Sequence, residues 1–224
     1  MSKTITLSNH KGGVGKTTSV INLGAGLVSL GKKVLLVDLD PQANLSQSLG
    51  YRDQELTIYG ALKGEQEVKP IEVLPGLELI PSTLDLAGAE IELSAEAGRE
   101  FILKELLEPL RSSYDYIIID SPPSLGLLTI NAFTASNEVL IPLQSQYLAL
   151  QGLTVLQGVI EKIQKRLNKG LKLGGVFITQ YDKRKVLHRE VLQTIQGHLK
   201  GQLLKTIIRD NIALAEAPAV GQDI

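Results

Sequence analysis

The chain has 224 residues, 43% of them hydrophobic, and a formal net charge of −1; this length allows one large α/β domain or two small ones, and one domain over residues 1–224 is the simpler interpretation. No cysteine is present, which excludes disulfides, thiolate metal sites and iron–sulfur clusters. Because the sequence has no apolar run of about eighteen residues and no signal-peptide layout, we expect a cytoplasmic protein without a membrane span.

Seven short segments have the apolar, β-rich composition of strands, and several show no alternation, as in strands covered on both faces. They are residues 4–7, 34–38, 77–81, 116–120, 139–142, 176–179 and 203–208. Helices are predicted over residues 16–30, 99–110, 125–135, 150–168 and 188–198. This alternation predicts an α/β fold with a doubly wound, mostly parallel sheet and helices on both faces. Residues 50–76, rich in glycine and proline, are expected to form a loop with a short helix.

A glycine-rich segment, residues 8–18 (SNHKGGVGKTT), lies between the first predicted strand and the first predicted helix. Such a turn directs backbone N–H groups and the positive end of a helix dipole at one point that suits phosphate. Lys16 adds a positive charge there, and Thr17 offers a hydroxyl for Mg²⁺. The strict P-loop pattern has glycine where this chain has His10, and a second lysine, Lys11, follows. A glycine turn with two solvated lysines is the alternative interpretation.

Acidic residues stand at the ends of other predicted strands. Asp120 ends the strand over residues 116–120 and is the candidate Walker B acid, which holds Mg²⁺ directly or through water. Asp38 and Asp40 lie at the end of an earlier strand, and strand alternation puts them on the same face. Because ligands of parallel sheets lie at the carboxyl ends of the strands, we expect these side chains and Asp182 to converge near the glycine-rich segment.

Several segments together resemble one protein family. They are residues 11–18 (KGGVGKTT), 37–42 (VDLDPQ), 79–82 (LIPS), 85–90 (DLAGAE), 118–124 (IIDSPPS), 148–152 (LALQG) and 214–218 (LAEAP). They extend over nearly the whole chain in the family's order. The chain resembles the ParA/MinD superfamily of P-loop ATPases, which have a deviant Walker A loop, and within it the ParA/Soj partition branch.

The resemblance implies ATP and ADP with Mg²⁺ as cofactors and ATP hydrolysis as the activity. It assigns catalytic roles to Lys11, Lys16 and Asp40, the last of which polarises the attacking water. It assigns metal binding to Thr17, Asp38 and Asp120. It assigns nucleotide contacts to Lys11, Gly12, Gly13, Val14, Gly15, Lys16, Thr17, Thr18 and Asn211.

Three of these assignments have alternatives. Thr18 is expected to bond the α-phosphate, but it is also suited to be a first-turn helix residue. Asp38 is expected to support the magnesium shell, but it could instead cap a helix or serve only in structure. Near the expected base contact at Asn211 the chain departs from the family pattern, since Arg209 stands where partition ATPases often carry proline.

Lys11 is similar to the family's signature lysine, which contacts the nucleotide of the opposite subunit. Such a contact is stronger when the γ-phosphate is present, so we expect a homodimer with ATP and a monomer with ADP. Slow hydrolysis is expected to be stimulated by a ParB-like or other cargo adaptor protein. One hypothesis is that a basic segment of the adaptor docks on Glu90, Glu92, Glu96 and Glu100; the alternative is a solvated helix face.

Positive charge is concentrated in residues 161–210, which hold twelve Lys and Arg and four Asp and Glu, a net charge of +8. The rest of the chain holds eleven against twenty, a net charge of −9. With the resemblance, this predicts non-specific binding of double-stranded DNA through its phosphates, on a nucleoid-associated protein. The candidate DNA-binding residues are Lys162, Lys165, Arg166, Lys169, Lys183, Arg184, Lys185 and Arg189. A merely solvated basic face is the alternative.

The function implied is a DNA-partition or positioning switch that segregates a plasmid, a chromosome or another cargo. One alternative is a MinD-like ATPase that grips membranes with an amphipathic C-terminal helix. Residues 219–224 show no such helix, although the family usually continues into a last helix, so whether a C-terminal helix is missing stays open. A second alternative is an ATP-dependent ligase or amidotransferase, which would need another small-molecule pocket.

Overall fold

The computed structural model describes residues 2–146, 149–199 and 201–216. Within them, one sheet has eight strands in the order β3–β4–β2–β5–β1–β6–β7–β8. The strands are β1 (Lys3–Leu7), β2 (Val34–Asp38), β3 (Ile71–Leu74), β4 (Leu77–Ile80), β5 (Tyr116–Asp120), β6 (Glu138–Gln144), β7 (Lys172–Tyr181) and β8 (Leu203–Arg209). Neighbouring strands are parallel except β3 and β4, which are antiparallel. The mostly parallel sheet predicted from the sequence is confirmed.

The strands alternate with α-helices, and two short 3₁₀ segments extend α4 and α5. The helices are α1 (Lys16–Ser29), α2 (Asn44–Ser48), α3 (Ile58–Leu62), α4 (Leu86–Glu92), α5 (Ile102–Leu107), α6 (Leu127–Ala135), α7 (Ala149–Arg166), α8 (Val186–His198) and α9 (Ala213–Glu216). The 3₁₀ segments are Leu93–Ala95 and Glu108–Ser112.

Apolar side chains leave both faces of the central strands. Leu36 and Ile118 pack with Val20 of α1 in one hydrophobic cluster. Leu35, one residue earlier in the same strand, packs in a second cluster that contains Phe133 of α6. Because successive residues of a strand point to opposite faces, helices on both sides are needed to bury these strands, and this explains their nearly continuous apolar sequences.

The carboxyl ends of three central strands lie side by side. The pairing register places Leu7 of β1 beside Asp120 of β5, and Asp120 beside Asp38 of β2. The glycine-rich loop begins directly after Leu7. The sheet therefore brings the loop and the two acids to the same edge, as the sequence predicted.

Some elements differ from the sequence-based expectation. The helix expected over residues 99–110 is shorter, because α5 spans Ile102–Leu107 and continues as a 3₁₀ segment that contains Pro109. The segment over residues 50–76 contains the expected short helix, α3, and also strand β3, which was not predicted. Helices α2 and α4 were not predicted either.

In the described part of the chain, no helix combines the length and apolarity that crossing a bilayer requires. The expectation concerning residues 219–224 falls outside the described residues, as does the end of the motif over residues 214–218.

Candidate nucleotide site

The loop between β1 and α1 is shaped by glycines. Gly13 and Gly15 have φ angles of 72° and 84°, a left-handed conformation that glycine adopts without steric cost. Gly15 is the N-cap of α1, and no side chain caps that end of the helix. The first turn of α1 therefore keeps N–H groups available for an anion, where the helix dipole favours negative charge.

Side chains from β6 and β7 hold the loop from behind. The Gly13 carbonyl accepts hydrogen bonds from Gln144 Nε2 (2.9 Å) and Gln180 Nε2 (2.8 Å), and the Val14 carbonyl accepts one from Thr179 Oγ1 (2.8 Å). Among the described residues, no hydrogen bond engages the N–H groups of residues 12–17. The loop thus leaves the N–H groups of residues 12–17 available to bind an anion.

Lys16 lies within this arrangement and is only 7% exposed. It lines a cavity of about 390 Å³ together with loop residues and with Asp40. The cavity is lined by Gly12, Gly13, Gly15, Lys16, Thr17, Thr18, Ile21, Asp40, Gln42, Asn44, Ser48, Pro123 and Gln180. The predicted phosphate-binding residues are therefore brought together around one space, although Val14 is buried beneath the loop and does not line it.

Thr17 and Asp120 meet at the inner wall of the site. The Thr17 hydroxyl donates a 2.6 Å hydrogen bond to Asp120 Oδ2, while Asp120 Oδ1 is buried and has no hydrogen-bond partner in the described part of the chain. Burial, and then the nearby carboxylate of Asp38, raise the pKa of Asp120 to about 8. A buried carboxylate oxygen with no donor, next to a threonine hydroxyl, is a donor set that fits Mg²⁺, whose charge would keep Asp120 ionised.

Asp38 points toward α2. Its Oδ2 accepts hydrogen bonds from Ser46 N (2.8 Å) and Ser46 Oγ (2.7 Å), and its Oδ1 accepts one from Asp40 N (3.2 Å). Burial raises the pKa of Asp38 to about 6, although the bonds from Ser46 oppose this shift. This contact with the first turn of α2 is the structural role considered as the alternative for Asp38, and its metal-binding role stays a prediction.

Asp40 faces the cavity and is 7% exposed. Its Oδ1 accepts a 3.0 Å hydrogen bond from Gln42 N, and its backbone carbonyl accepts one from Ser82 Oγ (3.1 Å). We call Asp38, Asp40 and Asp120 the acidic corner. Each of these three carboxylates is held by hydrogen bonds from within the same chain, so the corner is formed before any ligand binds.

Lys11 is placed apart from Lys16. The Lys11 side chain is exposed, and its Nζ donates hydrogen bonds to Gln144 Oε1 (3.2 Å) and Gln146 Oε1. It lines a different cavity, beside His10 and Val14, and not the one that contains Lys16 and Asp40. The two lysines of one loop therefore face two different spaces.

Asn211 lies on the other side of the glycine-rich loop. It lines a cavity of about 250 Å³ with Thr18, Asn22 and Gln180, and Thr18 and Gln180 border the phosphate cavity as well. The two cavities are therefore adjacent, which is the arrangement that a nucleotide with its base near Asn211 requires. The contact of Asn211 with the base stays a prediction.

The candidate DNA-binding residues form two groups rather than one. Lys162, Lys165 and Arg166 lie at the end of α7, and Lys169 follows; Asn168 beside them donates to the Ser136 carbonyl, just before β6 begins. Residues 183–189 follow the carboxyl end of β7. All eight residues are exposed, but the first group lies near the amino end of β7 and the second follows its carboxyl end.

Arg184 already has an intramolecular partner. Its Nε and NH2 donate to the two carboxylate oxygens of Asp182 at 3.0 and 2.9 Å, and this pair holds the pKa of Asp182 well below its usual range. The Arg184 side chain is nevertheless 86% exposed.

The sequence-based analysis did not identify Gln144, Gln146, Ser46 and Ser82 as part of the site. Gln144 and Gln146 lie at the end of β6 and just after it, and Ser82 follows β4. Position at the carboxyl end of a predicted strand was a usable signal for these three. Ser46 lies in a short helix that the sequence pattern did not reveal.

A mostly parallel sheet with a glycine-rich loop, an adjacent lysine and threonine, and a strand-end aspartate at one edge defines a P-loop nucleoside triphosphatase. A family model described as an AAA domain matches residues 2–173. The chain is 47% identical over 229 residues to the sporulation initiation inhibitor protein Soj of Bacillus subtilis, covering 100% of this chain and 90% of that protein. It is 46% identical over 227 residues to the chromosome-partitioning ATPase Soj of Treponema pallidum, covering 100% and 89%.

Among solved structures, the cobyrinic acid a,c-diamide synthase from Mycobacterium smegmatis with bound ADP and magnesium is similar, with a TM-score of 0.90 and 38% identity. The match covers 99% of this chain and 93% of that chain. The chain belongs to the ParA/Soj family of partition ATPases, within the ParA/MinD superfamily. It is an ATPase whose cofactors are ATP or ADP and Mg²⁺.

Proposed function

We propose that this partition ATPase is a two-state switch: its ATP-bound dimer binds DNA non-specifically, and adaptor-stimulated hydrolysis returns it to a monomer that releases DNA. Repeated cycles of this kind would position a plasmid, a chromosome or another cargo within the cytoplasm. The observation that carries the proposal is the separation of the two loop lysines. Lys16 lines the phosphate cavity, whereas Lys11 is exposed outside it.

An exposed ammonium group beside a phosphate site is suited to a second nucleotide. Among the residues that the structure describes, Lys11 Nζ bonds to the amide oxygens of Gln144 and Gln146 and to no carboxylate, so its charge is not neutralised there. Facing a second subunit, this charge would interact most strongly with the terminal phosphate of ATP and less with ADP. Nucleotide identity would thereby control association.

In hydrolysis, the residues of the phosphate cavity would act mainly by positioning and by charge compensation. Lys16 and the N–H groups of residues 12–17 would hold the phosphates, and Asp40 would orient and polarise the attacking water. Thr17 and Asp120 would hold Mg²⁺, which supplies positive charge against the developing negative charge, with Asp38 supporting this corner from behind. These roles agree with the burial of the acidic corner and with the orphaned Oδ1 of Asp120.

DNA contact is proposed for the two basic groups, Lys162 to Lys169 and Lys183 to Arg189. A two-fold symmetric dimer would double each group, and binding through phosphates would gain from this multivalency. Strand β7, whose 10 residues span about 33 Å, lies between the two groups in the chain. The groups before and after it would therefore contact separate stretches of a duplex.

The four acids proposed as the docking site for the adaptor differ in whether they already have partners within the chain. Glu90 accepts a hydrogen bond from Leu128 N at the start of α6, Glu92 pairs with Lys63, and Glu100 pairs with Arg99. These three acids already have intramolecular partners. The Glu96 side chain is exposed and forms no hydrogen bond or ion pair with the described residues, so it is the acid of this set best suited to an outside contact.

The test of the proposal is DNA binding by the complete chain over a range of salt concentrations, with ATP, ADP or no nucleotide. We expect tight, salt-sensitive binding of unrelated DNA sequences with ATP and at least about tenfold weaker binding with ADP. Size-exclusion chromatography under the same conditions should show dimers only with ATP. Equal DNA affinity in the ATP and ADP states would contradict the switch.

A second candidate function is favoured by the similarity to the Mycobacterium smegmatis synthase. In this alternative, ATP would activate a carboxylate of a small molecule for amide formation. Turnover would then depend on a carboxylic-acid substrate and an amine donor, and not on DNA or an adaptor. Measuring ATP hydrolysis with cobyrinic acid and glutamine, against hydrolysis with DNA, distinguishes the two functions.

A further inference from the structure

The backbone of Asp40 is clamped by side chains on both sides. Its N–H donates to Asp38 Oδ1 at 3.2 Å, and its carbonyl accepts from Ser82 Oγ at 3.1 Å as well as from Ala43 N, in the turn that follows, at 2.8 Å. Asp40 lies one residue beyond the last backbone bond between β2 and β5, from Leu39 N to the Asp120 carbonyl at 3.0 Å. Side-chain hydrogen bonds and the turn bond from Ala43 N therefore fix the position of this residue.

Ser46 connects the two halves of this clamp. Its hydroxyl donates to Asp38 Oδ2 at 2.7 Å and accepts from Ser82 N at 2.9 Å, while its backbone N–H donates to the same Asp38 oxygen at 2.8 Å. Ser46 and Asp38 are fully buried, and Ser82 is 3% exposed. The network thus joins the end of β2, helix α2 and the segment after β4 in one solvent-excluded unit.

We propose that Ser46 and Ser82 are positioning residues for Asp40; this inference rests on the proposed role of Asp40 in hydrolysis. With its N–H and carbonyl fixed, Asp40 directs its carboxylate into the phosphate cavity, where Gln42 N binds Oδ1. The remaining oxygen, Oδ2, has no hydrogen-bond partner in the described structure and is the atom available to a water. A site that must orient a water needs such support, because small displacements of the group strongly reduce the rate.

Serine suits both positions because one small hydroxyl can donate and accept at once. At Ser46, the single hydroxyl satisfies both a carboxylate oxygen and a backbone N–H in a space without solvent. Alanine would leave the Ser82 N–H unpaired and remove one of the bonds to Asp38. Asp40 lines the phosphate cavity, whereas Ser46 and Ser82 do not. ATP binding itself should therefore be little affected by replacing either serine.

The experiment compares Ser82→Ala, Ser82→Thr and Ser46→Ala in the complete chain, with ATP affinity measured by a fluorescent ATP analogue and hydrolysis at saturating ATP. We expect Ser82→Ala and Ser46→Ala to lower kcat by about tenfold to a hundredfold while ATP affinity changes by less than about twofold. Ser82→Thr keeps the hydroxyl and should recover a substantial part of kcat.

Two controls separate positioning from general destabilisation. Ser136→Ala removes an equally buried hydroxyl, bonded to Thr6 and to the Ala132 carbonyl before β6 begins, and should leave kcat unchanged. In an Asp40→Ala background, Ser82→Ala should cause no further loss of the residual rate, because both changes remove the same function.

Two results would overturn the inference. One is an equal fold-loss from Ser82→Ala with and without Asp40, or from Ser136→Ala. The other is wild-type turnover by Ser82→Ala and Ser46→Ala while Asp40→Ala is inactive, which would leave the proposed role of Asp40 intact. Wild-type turnover by Asp40→Ala would instead refute that role, and with it the positioning of Asp40 by the two serines.

Discussion

The two sides of the nucleotide site differ in how completely the protein itself satisfies them. In the acidic corner, Asp38 and Asp120 are fully buried and Asp40 is 7% exposed. On the opposite side, after β7 and β8, the Arg184 side chain is 86% exposed, and Asp210 and Asn211 are exposed as well. One side is an interior built in advance, and the other is a surface.

This difference separates chemistry from recognition. Burial raises the pKa values of Asp38 and Asp120 to about 6 and about 8, which is the electrostatic cost of gathering carboxylates away from water. Such a cluster is maintained by donors within the chain and would be relieved by a cation. The exposed side carries no comparable electrostatic cost, since its charges are solvated. They are therefore available to bind a base, a second subunit or DNA. Mutations on the two sides should therefore differ in kind and in size.

The largest effect is expected from the buried side. Asp40→Ala should reduce ATP hydrolysis by about a hundredfold to ten-thousandfold, the range typical of a positioned acid–base group. Because Lys11 and the loop are unchanged, the variant should accumulate as an ATP-bound dimer. Hydrolysis assays and size-exclusion chromatography with ATP test this together. An Asp40→Ala protein that hydrolyses ATP normally would show that the corner supports the fold and not the reaction.

A smaller effect, on association only, is expected at the exposed lysine of the loop. Hydrogen bonds to charged groups contribute about 1.5–3 kcal/mol, so Lys11→Ala should weaken the ATP dimer by at least about tenfold. ATP affinity of the monomer should change little, since Lys11 does not line the phosphate cavity. Analytical ultracentrifugation with ATP provides the measurement.

Lys32→Ala is the matched control, because it removes another exposed lysine from a turn outside the site. If Lys11→Ala dimerises as well as Lys32→Ala does, Lys11 does not contribute to dimer formation, and its exposure outside the phosphate cavity has no role in association.

The same division explains what the sequence could and could not predict. Seven of the eight strands, the glycine-rich loop and the placement of Asp38, Asp40 and Asp120 beside it were predicted correctly, because each depends on local composition and on the rule that parallel strands carry ligands at their carboxyl ends. Asp182 was expected at the same place, but it lines neither the phosphate cavity nor the cavity beside Asn211 and pairs with Arg184 instead. The partners of Asp40 and Gly13 were not predicted, since Ser82 and Gln144 come from distant parts of the chain. The partner of Asp38, Ser46, is near in sequence but lies in the short helix α2, which has no clear periodic pattern. Such contacts follow from the assembled fold and leave no periodic pattern.

Tertiary contacts also changed element boundaries. Asn131 of α6 accepts a hydrogen bond from Leu103 N and donates one to the Arg99 carbonyl, so α5 begins at Ile102 rather than at residue 99. Strand β3 is short and only partly buried, and therefore lacks the apolar run that revealed the central strands. The basic residues between 161 and 210 were predicted to form one patch, but the ten residues of β7 separate them into two groups, one before its amino end and one after its carboxyl end.

On the exposed side, the two basic groups should contribute separately to DNA binding. Replacing Lys162 and Lys165 with alanine, or Lys183 and Lys185, should each weaken binding about tenfold at low salt. Because the ATP dimer carries each pair twice, each replacement should also reduce the slope of log affinity against log salt by roughly 3.6, if every lysine neutralises one phosphate. Fluorescence anisotropy with ATP and two unrelated duplexes gives both quantities.

Because the two groups lie near opposite ends of β7, their effects on DNA binding should be additive in free energy. Lys32→Ala again serves as the charge control. A pair whose removal leaves the salt slope unchanged does not contact DNA, and the surface would then be confined to the other group.

The smallest effect on DNA binding is expected at Arg184, a residue of the exposed side that already has a hydrogen-bond partner within the chain. Arg184 is bound by both carboxylate oxygens of Asp182, so Asp182→Asn should free its guanidinium and strengthen DNA binding. An exposed pair is worth up to ~1 kcal/mol, so the gain should not exceed about fivefold, and it should disappear in the Arg184→Ala background. Glu190→Gln removes one negative charge from the same region without touching Arg184. An equal gain from Glu190→Gln would mean that net charge, and not the release of Arg184, determines the affinity.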